Sequence, residues 1–314
     1  MTNQWPLSER YKFNNSLNKY SQKKLEYIEN FFLKKYKAKY AFLAPSSRSS
    51  INILLKFLKF NRSHLVNIPK WSSHCLFETI GSITNVAVEN FSSDLVVVFH
   101  KWGNTFKYRN KSQIIVEDSV DSLPKKNFKP FANNGIQEII SLPKIIGSYS
   151  GGIVLTNNKK YYNYGKDLQN KDMSLGIIQS RKKFLYSQNK LKKFESWFYD
   201  ECRNTSFDGN VVENIANCME NFEKNTNTLI KRMNIIKEIF PNIYFDKQRL
   251  GPCCIFRYEN YSKFNKELEL KFFNFSLKTK NNNFEKCFIF PIHYQIAERE
   301  FENKLEKLII LSKN

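Results

Sequence analysis

Residues 114–156 read IIVEDSVDSLPKKNFKPFANNGIQEIISLPKIIGSYSGGIVLT. Three short runs punctuate this stretch, Ile114–Val116, Glu138–Ile140 and Gly152–Thr156, each of strand length and each separated from the next by turn or helix-forming residues. Near-continuous Val/Ile/Leu runs of this kind suit strands buried on both faces, as in a mostly parallel sheet covered by helices. The texture continues upstream in Leu65–Ile68, Val86–Val88 and Leu95–Phe99. Before those, AFLAPSSRSSINILLKFLKF from Ala41 combines an apolar stretch, a small-residue turn and a helix starting near Ser49. Leu17 to Lys37 carries apolar positions at helical spacing and predicts an amphipathic helix. From about Lys159 the chain turns to Lys/Asn/Glu-rich amphipathic helices, Asn210 to Phe240 above all. Beyond Cys253 two strands, in CCIFRY and KCFIFPI, precede a last helix, Glu298 to Ser312. The expected architecture is α/β: a large domain with a mostly parallel mixed sheet between helices, residues 1–195, then connecting helices and a smaller C-terminal α+β domain, 196–314.

Composition narrows the function. The 314 residues hold 50 Lys+Arg against 29 Asp+Glu, a formal net charge of +21. The basic residues are overwhelmingly lysine, whereas arginine is the residue that reads guanine edges and grips phosphates bidentately. The excess therefore reads as solvated surface and not as a nucleic-acid footprint, with attraction to phosphate-bearing ligands as a background field. No run of about 18 apolar residues predicts a membrane span, and the N-terminus lacks a basic-then-apolar leader, so a cytoplasmic protein without integral membrane association is expected. Cys75, Cys202, Cys218, Cys253, Cys254 and Cys287 form no CxxC pair, and there are four scattered histidines. A metal centre or disulfide framework is not expected.

Four features in the α/β half carry possible chemistry. Ser46-Ser47-Arg48-Ser49-Ser50 opens a helix, where unpaired N–H groups, hydroxyls and the helix dipole make a phosphate seat, although the same letters also make an ordinary N-cap. Glu117-Asp118 ends an apolar strand, and the carboxyl ends of parallel strands face the ligand crevice; a solvated turn carboxylate would look the same. Lys144 follows Ser141-Leu142-Pro143 in apolar company, which suits an amine nucleophile as well as a snorkelling surface lysine. Gly151-Gly152 enters a strand where backbone must approach closely or take positive φ, or where a hairpin begins.

The order of these features resembles the DegT/DnrJ/EryC1/StrS sugar aminotransferases, pyridoxal-phosphate enzymes of fold type I. Those enzymes run from Ser-Gly-Thr opening a helix, through His-x-x-Gly and Glu-Asp, to Ser-x-x-x-x-Lys and Gly-Glu-Gly-Gly before a strand. This chain has SSRSSINILL, VNIPKWSSHCLFETI, FHKWG, VEDSVDSL, ISLPK and SGGIVLT in that order, and FIFPIHYQIAEREFENKLEKL resembles the family's Pro-x-His segment and last helix. The resemblance implies pyridoxal 5'-phosphate as cofactor, with Lys144 as Schiff-base lysine and proton shuttle and Asp118 as partner of the pyridinium nitrogen. Ser46, Ser47 and Arg48 would hold the phosphate with Ser141. His74, with Trp71 in reserve, would stack on the ring, and Asp121 takes the place beside the cofactor hydroxyl. His293 and Asn204 are the substrate-side candidates, Asn204 as the side chain given to a neighbouring subunit.

The chain departs from the pattern in having Ser-Ser-Arg for Ser-Gly-Thr, Ser150 for the Glu of Gly-Glu-Gly-Gly, and a Ser–Lys spacing two residues shorter. A lysine at position 144 argues against the family's dehydratase branch, which has His there. The implied activity is transfer of an amino group, from glutamate as first choice, to a nucleotide-linked keto-sugar in surface polysaccharide or glycan biosynthesis by a homodimer. Two alternatives stay open: a decarboxylase or transaminase of a small amino acid or its phosphate, and a non-catalytic member docking anionic partners.

Overall fold

The computed structural model describes residues 4–8, 11–17, 19–70, 72–88, 92–108, 113–125, 129–169, 171, 173–187, 203–243, 246, 248–257, 272–273 and 287–313. Its centre is a seven-stranded sheet. In chain order the strands are β1 (Tyr40–Ala44), β2 (Leu65–Ile68), β3 (Asn85–Val88), β4 (Leu95–Phe99), β5 (Ile114–Asp118), β7 (Gln137–Ser141) and β8 (Gly152–Thr156), and across the sheet they run β1-β8-β7-β5-β4-β2-β3. The short β6 (Leu123–Pro124) lies outside it. β8 pairs antiparallel with both β1 and β7, and the remaining pairings are parallel. The mostly parallel sheet read from the apolar runs is what forms, with one reversed strand. The carboxyl ends of β1, β4, β5 and β7 consequently share one edge.

Strand alternation divides the side chains between two layers. Phe42, Val97, Val116, Ile139 and Val154 face α2 (Ser47–Phe57), α3 (His74–Gly81) and α5 (Lys159–Gln169). Leu43, Ile140, Ile153 and Leu155 face α1 (Gln22–Tyr36), α4 (Leu142–Ile146) and α7 (Gly209–Met219). Between α5 and α7 runs α6 (Met173–Ser187). α1 forms because Leu25, Ile28, Phe32 and Tyr36 recur on one stripe, and it stops at Lys37, whose φ of 52° is left-handed. Burying each such side chain contributes about 1.5–3 kcal/mol.

The long helical region expected over Asn210–Phe240 is two helices, α7 and α8 (Phe222–Ile239), broken at Glu220-Asn221. The two helices serve different cores. Val211, Ile215 and Phe222 belong to the core beneath the sheet, whereas Leu229, Met233 and Ile236 belong to a second core. That second core is closed by β10 (Cys253–Arg257), β12 (Cys287–Pro291) and α9 (Glu298–Lys313). By packing, the handover between the two cores lies inside α8. β9 (Arg249–Leu250) returns to pair with β6, and the small sheet is completed by β11 (Phe272–Phe273) beside β12.

Candidate active site

The site grows from three chain reversals at one sheet edge. β1 ends at Ala44, opposite Gly152, which is opposite Ser141 at the end of β7. Pro45 O accepts from Gly151 N at 2.9 Å and from Ser150 Oγ at 2.8 Å, and Gly151 O accepts from Leu142 N at 3.2 Å. The start of α2, the start of α4 and the Gly151-Gly152 entry to β8 are thereby tied together. Gly152 is required sterically: a Cβ there would lie 2.7 Å from Ser47 N. Gly151 adopts a φ of +103°, which L side chains rarely take. Ser150, where the family pattern has Glu, is 2% exposed and uses its hydroxyl on this turn.

At the start of α2, Ser46 and Ser49 form a reciprocal capping box. Ser49 N donates to Ser46 Oγ at 3.1 Å and Ser46 N to Ser49 Oγ at 2.8 Å. The Ser46 hydroxyl is thus committed to the cap, the ordinary reading of these letters. Ser47 Oγ is different: it is buried with no hydrogen-bond partner. Such a hydroxyl at a helix N-terminus is a ready acceptor-and-donor for an anion. Arg48 is half-buried one position later. Ser141 is buried at the N-cap of α4 and makes no side-chain cap bond.

Asp118 closes β5, in register with Phe99 and Ile139, on the α2/α3 side of the sheet. It is 2% exposed, and its Oδ1 accepts from Val120 N at 3.0 Å. Burial pushes its carboxyl up to about 7; the Val120 amide opposes this, Asp121 adds to it, and the Lys144 and Lys101 ammonium groups pull it back. Lys144 sits on α4, half-buried, with Nζ 5.0 Å from the ring centroid of Trp5. Asp121 is buried and accepts from Trp102 N at 2.9 Å.

A buried polar brace lies on the other side of the sheet. Phe106 N donates to His100 Nδ1 at 3.0 Å, so Nε2 carries the proton and donates to Glu117 Oε2 at 2.7 Å. Burial, with the Arg249 charge, holds His100 below the usual imidazole range against the pull of Glu117. Glu117 also accepts from Asn133 N and Gly135 N, and His100 N donates to Asp118 O at 2.8 Å. Next to it Arg249 donates to Glu138 Oε1 at 2.7 Å and Ser119 Oγ at 2.8 Å. Burial alone would raise Glu138; the Arg249 guanidinium holds it below the usual carboxylate range.

The remaining sequence candidates are distributed as follows. His74 begins α3 with its side chain 82% exposed and Nδ1 3.2 Å from Glu78 Oε1, on the solvent side of its own helix. Trp71 lies outside the described residues. Asn204 is buried and accepts from Ser206 N at 3.2 Å within its own turn. His293 is buried in the turn before α9, where Arg232 donates to its carbonyl at 2.8 Å. Its neighbour Tyr294 reaches the lysine helix, donating from its hydroxyl to Ile146 O at 2.8 Å. Trp5, Tyr294, Gln295 and Arg249 escaped sequence reading because their partners are distant in the chain, from Trp5 to Trp102 up to Gln295 to Leu7. Among the described residues no group of His, Cys, Asp and Glu is arranged to hold a metal ion.

The donor set fits pyridoxal phosphate. A buried carboxyl held near neutrality suits a ring nitrogen that must carry a proton, a primary amine stands within its electrostatic reach, and an unpartnered hydroxyl with an arginine marks a phosphate seat at a helix start. A family model described as "Putative PLP-dependent aminotransferase" matches residues 11–312. No curated protein matches significantly. Among solved structures, the fold is similar to the aminotransferase TlmJ from Streptoalloteichus hindustanus, at 10% identity and TM-score 0.66 over 99% of this chain and 98% of that one. It is similar to a DegT DnrJ EryC1 StrS aminotransferase from Brucella abortus, at 10% identity and TM-score 0.58 over 91% and 89%. A GDP-4-keto-6-deoxymannose-3-dehydratase with bound GDP-perosamine aligns at 11% identity and TM-score 0.65 over 98% and 100%.

Proposed function

Since the chain belongs to the PLP-dependent aminotransferase family whose model spans residues 11–312, we propose that its reaction moves an amino group from an amino acid, glutamate in our reading, to a keto-sugar carried on a nucleotide. Such a step serves surface polysaccharide or glycan assembly. The observation that supports the reading is the buried Asp118 at the carboxyl end of β5, within electrostatic reach of the Lys144 ammonium, together with the unpartnered hydroxyl of Ser47 at the start of α2. The keto-sugar nucleotide is favoured by the order of motifs and by fold neighbours that include a dehydratase holding GDP-perosamine. Lysine at position 144, where the dehydratase branch has His, favours amino transfer over dehydration.

When bound, the cofactor supplies an electron-withdrawing ring that stabilises negative charge at the amino acid's α-carbon. Lys144 would supply the amine that holds the cofactor and would hold and move a proton at Nζ to and from that carbon. Asp118 would pair with the ring nitrogen and favour its protonated form. The amides at the start of α2, with Ser47, Arg48 and Ser141, hold the phosphate, while Ser46 fixes the helix start by its capping box. Asp121 orients the Trp102 turn beside Asp118. We read the working form as a cytoplasmic homodimer; Asn204, buried within its own turn, is not placed to contribute across an interface. Among the described residues no helix is long and apolar enough to cross a membrane.

The test is spectroscopic. The purified chain with pyridoxal phosphate is expected to absorb in the visible, and Lys144→Ala to lose both that band and the covalent adduct fixed by borohydride. Glutamate should bleach the band without releasing carbon dioxide, and a nucleotide-linked keto-sugar should restore it. A chain that takes up no cofactor overturns the proposal; carbon dioxide release points to the decarboxylase alternative.

A further inference from the structure

Residues 4–8 lie against the lysine helix. Trp5 stacks on Trp102, ring centroids 6.1 Å apart at 15°, and its ring stands 5.0 Å from Lys144 Nζ. Two residues on, Leu7 N donates to Gln295 Oε1 at 2.6 Å and Leu7 O accepts from Gln295 Nε2 at 2.9 Å. Gly147, at φ +71°, lets the strap pass: a Cβ there would sit 2.6 Å from Leu7 O. The strap is thus clamped between the end of α4 and the turn before α9. Trp102 itself is held in the left-handed region, φ 54° and ψ 34°, a conformation that is costly for a bulky side chain. Asp121 fixes its amide, and a small cluster of Cys253, Ile255 and Ile289, separate from the second core, fixes its ring. Strain kept at such a place points to a geometric requirement.

We propose that the half-buried Trp5 ring, backed by the buried ring of Trp102, is an aromatic shelf on which the hexose ring of the nucleotide-linked acceptor packs by its C–H face, with the 4–8 strap as a component of the acceptor site. This rests on the aminotransferase reading given above. The shelf lies beside the reacting nitrogen, so what covers it is the portion of the substrate that reacts. In a nucleotide sugar that portion is the hexose, while the base is held away by two phosphates. A pyranose offers a flat patch of weakly positive C–H groups, and an indole face offers the complementary negative quadrupole. Glutamate has no such flat face. Trp5 therefore determines which acceptor is taken and does not take part in proton transfer.

The experiment measures binding by calorimetry to the cofactor-saturated full-length chain, with UDP-glucose, GDP-mannose and dTDP-glucose as probes against UDP, GDP and dTDP. Trp5→Ala should weaken the tightest sugar nucleotide about tenfold while its nucleoside diphosphate changes less than about twofold. Trp5→Phe, which keeps a ring, should recover affinity to within about threefold of wild type. Trp5→Leu, of apolar bulk but no ring, should behave as Ala does and stands in for it where Ala fails to fold. Gln295→Ala, which only releases the strap, should weaken the sugar nucleotide in the same direction. Equal losses for sugar nucleotide and nucleoside diphosphate, no loss, no recovery by Phe, or no binding of any sugar nucleotide to wild type would each overturn the proposal. The visible absorbance of the same samples keeps the two claims apart. A coloured chain whose binding ignores Trp5 removes the shelf alone, and a colourless one removes the aminotransferase reading beneath it.

Discussion

Asp118 shows how one side chain answers to its surroundings. Its carboxyl is raised from 3.8 to about 7, so the folded, cofactor-free chain prefers it protonated while the unfolded chain ionises it near 4. A raised folded-state value stabilises below the unfolded pKa and is lost as pH rises through the folded one. Cofactor-free chain should therefore lose stability between about pH 4 and pH 7, by several kcal/mol in total. Asp118→Asn should flatten that slope, as read by urea midpoints across the range. A bound cation at the same carboxylate reverses the sign, so pyridoxal phosphate should raise the melting temperature more at pH 8 than at pH 5. A wild-type chain with no stability change over this interval would refute the assignment. Asp118 was legible because a strand-end carboxylate after IIVE is a local pattern; its burial was not, since that depends on β4, β7 and α2.

At the scale of elements, the proposed phosphate seat depends on how closely β8 approaches α2. Gly152→Ala would place a methyl group 2.7 Å from Ser47 N, a backbone atom with nowhere to go. The expected result is a loss of about 1–3 kcal/mol, the cost of overpacking. Because the displaced atom belongs to the seat, cofactor affinity should fall as well, measured by titrating the visible band. An unchanged midpoint and unchanged affinity would show that the two elements are not in contact. The strands were readable at this scale: each apolar run from Leu65 to Thr156 became a strand, and in β4, β5, β7 and β8 burial on both faces left a compositional trace, whereas the edge strand β3 leaves Val88 exposed. The α7/α8 break was not, because both helices keep the 3.6-residue period and only the identity of the core beneath them changes. His74 shows the opposite limit: it sits near the expected sequence position, yet the turn of α3 sends its side chain to solvent in this chain.

For the whole molecule, the joint between its two cores contains a buried ion pair. Arg249 on β9 and Glu138 on β7 are 3% and 0% exposed. Arg249→Leu would leave a carboxylate buried without its guanidinium and should cost about 3–5 kcal/mol, whereas Glu138→Leu with Arg249→Leu should recover most of it. Glu138 is held below its ordinary range, so its contribution exists above about pH 4.5 and disappears as pH falls through the lower folded value. The gap between wild type and Arg249→Leu in urea unfolding should therefore close on acidification. A gap that persists at pH 2–3 would assign the effect to packing. No local signal marks this pair, because its members are 111 residues apart and each resembles an ordinary surface charge.

The antiparallel insertion of β8 between β1 and β7 also sets a timetable for synthesis. Tyr40 pairs with Thr156 and Ala44 with Gly152, so once β1 has left the ribosome it lacks its sheet neighbour until more than a hundred further residues have followed. At about 5–20 residues per second that wait is on the order of ten seconds, during which an apolar strand edge, YAFLA, is exposed. The nascent chain should accordingly bind holding chaperones at this segment and release them only after Thr156 emerges. Stalled ribosome complexes truncated before and after that residue would show this as loss of protease sensitivity at Tyr40–Ala44.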